Sequence, residues 1–152
     1  MTLTTDRADI IELFSLYADI ADTKSFDELP RRVHADPFTM NFESVTGMPP
    51  MQVALNDYVM ALRSSFDAFI ATHHSITGHV ISIDGDHAIA RAHVRAEHWL
   101  PAEGVEDGMN CWLVVGFYDN EAVRTPDGWR FSKVQLTAAY QENAYLLAAA
   151  TS

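Results

Sequence analysis

The segment HAIARAHVRAEHW, residues 87–99, constrains the fold more than any other stretch of the chain. Ala88, Ala90, Ala92, Val94, Ala96 and His98 share one parity, while His87, Arg91, His93, Arg95 and Glu97 share the other. Successive side chains of a strand point to opposite faces, so this pattern specifies a half-buried strand with its apolar row inward. A one-residue slip would expose the whole row, which fixes the register. His98 therefore belongs to the inward face, and His87 and His93 to solvent. The inward row is unusually small. Either bulky helix side chains or a ligand must fill the space its alanines leave.

The elements around this strand follow from changes of period. Ile10, Leu13, Phe14, Tyr17 and Ala21 recur at helical spacing and predict an amphipathic helix over about residues 5–21. A short helix is expected over Ser25–Val33, limited by Pro30. After Pro49-Pro50, residues 51–70 again read as helix, with Val53, Leu55, Tyr58, Val59, Leu62, Phe66 and Phe69 on its apolar side. From Thr72 the period becomes two. Strands are expected over 74–83, 87–100, 110–125 and 129–140, with turn signals at DGD, 84–86, and PDG, 126–128. Helices followed by turn-linked strands predict an α+β fold, an antiparallel sheet with helices on one face and a pocket between them. No repeat or linker divides the chain, so residues 1–152 are read as one domain.

Composition narrows the function classes. The chain carries 21 acidic and 10 basic residues, for a net charge of −11. Nucleic-acid and anionic-membrane binding need basic surfaces, so neither is expected. No apolar run reaches the length of a membrane span, and no leader pattern opens the chain. A lone cysteine, Cys111, fits a reducing cytoplasm and a small core residue. No glycine-rich phosphate loop is present, so no nucleotide cofactor is expected.

Seven histidines raise the question of a metal. His73 and His74 are adjacent and diverge on a strand; His93 and His98 fall on opposite faces. Neither pair has zinc-ligand spacing, and no metal is expected. Over 73–83, His74, Ile76, Gly78 and Val80 form the more apolar parity. His74 is thus the inward histidine, and His73 points away.

YADIADTKSFDEL, THHSITG, IDGDHAIARAHV and RTPDGWRF occur in the order found in the SnoaL-like branch of the nuclear-transport-factor-2-like superfamily, and the chain resembles that branch along nearly its whole length. The resemblance implies a cone-shaped α+β barrel, a bent antiparallel sheet wrapped around N-terminal helices with a deep apolar pocket. Scytalone dehydratase and bile acid 7-alpha-dehydratase are its most similar members. The resemblance to them places a catalytic aspartate at Asp22, its histidine partner at His74, a second pocket histidine at His98 and a tyrosine at Tyr17. The C-terminal arginine of the bile acid enzyme has no counterpart among residues 138–141. Dimers or trimers are common in the superfamily, so a homo-oligomer is expected.

Those residues suit acid–base chemistry. A carboxylate at one imidazole nitrogen fixes the tautomer and leaves the other nitrogen free to take a proton. The expected function is a cofactor-independent, dehydratase-type lyase. Its Asp22–His74 pair would remove a proton alpha to a carbonyl in a small hydrophobic cyclic or polyketide-like molecule. Tyr17 and His98 would polarise the oxygen, and Phe42, Tyr58, Phe66 and Trp112 would line the pocket. Isomerase or cyclase chemistry shares the first step. A non-catalytic ligand-binding module, or a protein like a dioxygenase small subunit, shares the fold. Asp22 is also a competent N-cap for the next short helix, and Tyr17 lies on the core stripe of the first.

Overall fold

The computed structural model describes residues 2–151. Helix α1 runs Leu3–Thr23 and buries Ile10, Leu13, Phe14, Tyr17 and Ala21, the stripe its spacing predicts, together with Ile20. Thr2 caps its N-terminus, and Lys24, in the left-handed region at φ 56°, closes its C-terminus. A 3₁₀ turn, Phe26–Glu28, leads into α2, Leu29–Arg32. Pro30 does not limit this helix. It stands in the first turn, where its missing N–H costs nothing.

Two strands were not expected. Strand β1, His34–Asn41, contains Pro37, which hides it from a periodicity reading. After α3, Glu43–Thr46, strand β2 covers Met51–Val53, so the helix expected from residue 51 begins only at Leu55. This helix, α4, spans Leu55–Asp67 and buries Leu55, Tyr58, Val59 and Phe66. Of the other side chains its pattern assigns inward, Leu62 is half-buried, Val53 belongs to β2 and Phe69 follows the helix.

The remaining strands are β3, Ala71–Asp84; β4, His87–Trp99; β5, Cys111–Thr125; and β6, Gly128–Glu142. Helix α5, Tyr145–Thr151, follows. The order in the sheet is β2-β1-β6-β5-β4-β3. All neighbours are antiparallel except β1 and β6, which run parallel. The fold is α+β as expected, and the six strands form one curved, unclosed sheet. Helix α1 packs on both edge strand β3 and the interior strand β6, which requires the sheet to curl around it. No helix among the described residues is long and apolar enough to cross a membrane.

Strand β4 alternates as its sequence dictates, with Ala88, Ala90, Ala92, Val94, Ala96 and His98 all buried. Strand β3 does not keep one parity. His74 and Ile76 face inward, but pairing to β4 shifts between Thr77 and Val80. The extra residue moves His79, Ile81 and Ile83 to the inner side and leaves Val80 66% exposed, in company with Ile89 at 64%. Gly78 sits at this bulge with φ 64°, and a Cβ there would lie 2.9 Å from His93 Cδ2. The expected inward placement of Gly78 and Val80 is therefore corrected by one inserted residue.

At the far end of the core, Arg124 of β5 grips Asp6 of α1 through two hydrogen bonds of 2.8 and 2.9 Å. Trp129 Nε1 donates to the same carboxylate at 3.1 Å, and Arg124 also reaches Asp86 at 2.9 Å. The Arg124 guanidinium lies over the Trp129 ring. This network ties the start of α1 to the sheet.

Candidate active site

Asp22 lies in the last turn of α1, where a negative charge opposes the helix dipole. Three donors from β3 offset that cost. The Thr72 hydroxyl donates to Oδ1 at 2.9 Å, the His74 backbone N–H to Oδ2 at 2.8 Å, and His74 Nδ1 to Oδ1 at 2.6 Å. Burial alone would raise the Asp22 carboxyl, but these bonds outweigh it and hold the group below the usual carboxylate value. Asp22 does not cap the next helix. The residue before that 3₁₀ turn is Ser25, and no side chain caps it.

With Nδ1 committed to Asp22, His74 presents Nε2 to a cavity of about 270 Å³. The cavity lies between the helices and the concave sheet face. Its wall includes Tyr17, Phe42, Tyr58, Phe66, Trp112 and His98, all of them expected pocket or site residues. His73, by contrast, is exposed on the outer face. Val94 and Ala96 line the cavity beside His98, while Ala88, Ala90 and Ala92 are packed into the apolar core. Both uses of the small alanine row are thus realised, at opposite ends of one strand.

His98 is buried and stacks on Trp112, with ring centroids 4.3 Å apart. Its ring stands 5.4 Å from that of His74 and nearly perpendicular to it. Nδ1 of His98 lies 3.2 Å from the Trp112 carbonyl oxygen. A carbonyl only accepts, so Nδ1 carries the proton. Burial, assisted by the nearby His74, pulls the His98 pKa down to about 4, and the ring is neutral near pH 7. Its Nε2 is then an acceptor. The expected role of His98 as an oxygen-polarising donor needs the other tautomer or the cation, and this environment disfavours both.

The Thr46 and Ser65 hydroxyls on the wall donate to the Phe42 and Ala61 carbonyls, which leaves the phenols as its candidate donors. Tyr17 is buried with its ring 6.2 Å from His74 and 6.0 Å from Tyr118. Burial raises the Tyr17 phenol above its ordinary value, with Tyr58 and Tyr118 pulling it partly back. Burial also pushes Tyr58 and Tyr118 well upward, so all three remain protonated near neutrality.

The SnoaL-like domain profile matches residues 2–135. The chain belongs to the SnoaL-like domain family. Its crystallised relative Kfla4162 from Kribbella flavida is 70% identical, with a TM-score of 0.93 over 97% of this chain and 99% of that one. A putative scytalone dehydratase from Novosphingobium aromaticivorans superposes with a TM-score of 0.76 at 16% identity, over 92% and 88% of the two chains. A hexachlorocyclohexane dehydrochlorinase, LinA-type3 from Novosphingobium barchaimii, gives 0.70 at 19% identity, over 91% and 89%. At such identities the last two share the fold of this SnoaL-like protein.

Sequence reasoning missed Thr72, the second side-chain donor to Asp22, and Tyr118, on the cavity wall. Tyr118 was within reach: it shares the parity of Trp112 on β5 and pairs with inward Ala92. Met40 and Leu136 came from strand β1, which was not expected, and from the far part of β6.

Proposed function

We propose that this protein is a cofactor-independent lyase of the dehydratase type. The 2.6 Å contact between Asp22 Oδ1 and His74 Nδ1, with Nε2 on an apolar cavity, carries this reading. The carboxylate holds the tautomer and stabilises the imidazolium that forms. Nε2 removes a proton alpha to a carbonyl, and the C–H electrons move onto the carbonyl oxygen. A neutral phenol, Tyr17 or its neighbours Tyr58 and Tyr118, supports that oxyanion. The imidazolium then returns its proton to the departing group on the beta carbon, the C–O bond breaks, and water and an enone result. His74 ends neutral, so no further reactant is required.

The substrate class follows from the wall. Among the described residues, no Lys, Arg, Asp or Glu lines the cavity. A phosphate or carboxylate would be desolvated there without a partner, which is costly. The substrate is therefore a small, neutral, hydrophobic carbonyl compound. Protonation at another carbon in place of elimination would make the same site an isomerase.

The test is elimination of 3-hydroxy-1-indanone to indenone, followed by absorbance in the wild type and in His74→Ala. Turnover lost in the variant supports the reading. No turnover across a panel of neutral beta-hydroxy ketones that nevertheless bind would leave a ligand-binding module.

A further inference from the structure

We infer that the bound molecule presents a hydroxyl hydrogen to Nε2 of His98, and that this contact selects a hydroxyl over a halogen or alkyl group at that position. The inference deepens the elimination reading and rests on it. The argument is one of donors and acceptors. His98 Nδ1 is spent on the Trp112 carbonyl at 3.2 Å. Stacking on Trp112 holds the ring in that orientation. The indole is itself fixed by a 3.0 Å bond from Nε1 to Gln141 Oε1.

Nε2 is left with a lone pair on the cavity wall and no partner among the described residues. Only a group that donates can satisfy it. A halogen would set lone pair against lone pair, and a methyl group would leave the nitrogen dry and unpaired. The perpendicular His74 ring, 5.4 Å away, faces the same space. A hydroxyl donating to His98 would turn its own oxygen lone pairs elsewhere, free to receive the proton that His74 carries. Acceptance by His98 also makes that oxygen more basic, which favours its protonation on departure. His98 is thus a specificity-determining contact and not the source of the proton.

Binding of unreactive probes tests this apart from turnover. The affinities of 2-indanol, 2-fluoroindane and 2-methylindane would be measured by ligand-detected NMR on the wild type and on His98→Phe. The expected result is about a tenfold preference for the alcohol over both analogues in the wild type, and loss of that preference in the variant. Equal affinities in the wild type, or no detectable binding of 2-indanol, would overturn the inference. So would a preference that survives His98→Phe. Nitrogen-15 NMR of the wild type near neutral pH covers the case in which the variant does not fold. A protonated-type Nδ1 and a pyridine-type Nε2 are expected, and the reverse assignment contradicts the inference. If the alcohol preference holds but 3-hydroxy-1-indanone is not eliminated, the hydroxyl subsite stands and the lyase reading alone fails.

Discussion

His74 binds both oxygens of the Asp22 carboxylate, through its ring at 2.6 Å and through its own backbone N–H at 2.8 Å. One residue of β3 thus sets the carboxylate that in turn sets its imidazole. With Thr72 added, three donors converge on one acid. An amide in its place has a single acceptor oxygen, and its NH₂ would meet a donor. Asp22→Asn is expected to lower kcat by roughly 10²–10⁴-fold with little change in KM. Steady-state kinetics on the substrate identified above would check it. An unchanged kcat would remove the dyad from the chemistry.

Asp6, outside the active site, gives an acid dependence of its own. Bonds from Arg124 and Trp129 hold its carboxyl down at about 2, against an ordinary value of 3.8. Because the folded value is depressed, the stabilisation is complete above about pH 4 and is lost as pH falls from 3.8 toward 2. Urea midpoints across that range would show a steep acid limb in the wild type. Asp6→Asn should lower stability at neutral pH and flatten that limb.

His34 acts in a different window. It is buried, both ring nitrogens lack partners among the described residues, and burial holds its value down at about 3. The unfolded chain takes up this proton near 6.5, so stability falls as pH drops from 6.5 toward 3. Replacing two unpaired buried nitrogens by ring carbons removes a desolvation cost of about 1–3 kcal/mol. His34→Phe should therefore match or exceed the wild type near neutrality and exceed it increasingly below pH 6.5. Thermal unfolding at several pH values would measure this. A variant less stable at every pH would contradict it.

The bulge in β3 makes a local prediction. Gly78 has a φ of 64°, and a Cβ would fall 2.9 Å from His93 Cδ2. Gly78→Ala should cost about 1–2 kcal/mol, from the left-handed backbone together with the displaced ring. Denaturant titration would read it, and a neutral effect would show that the bulge relaxes at no cost.

These residues also show what a sequence can carry. Strand β4 was legible because its thirteen residues alternate without interruption. That parity alone placed His98 inward. The same rule failed beyond Thr77, because one bulged residue reverses every later side chain. Strand β1 escaped because a proline within a short segment reads as an end and not as a strand. The Asp22–His74 pair joins residues 52 positions apart on a helix and a strand, and no local period encodes such a meeting. Family resemblance supplied it. The protonation pattern of His98 was out of reach, since it depends on a carbonyl supplied by the neighbouring strand.

The most direct test of the central claim needs no leaving group. It is exchange of the alpha protons of 1-indanone in deuterated buffer, followed by proton NMR with wild type, His74→Ala and Asp22→Asn. His74 as the base predicts exchange well above the buffer rate in the wild type, abolished in His74→Ala and strongly slowed in Asp22→Asn. Exchange that persists undiminished in His74→Ala, or a wild-type rate no faster than buffer with 1-indanone bound, would contradict it.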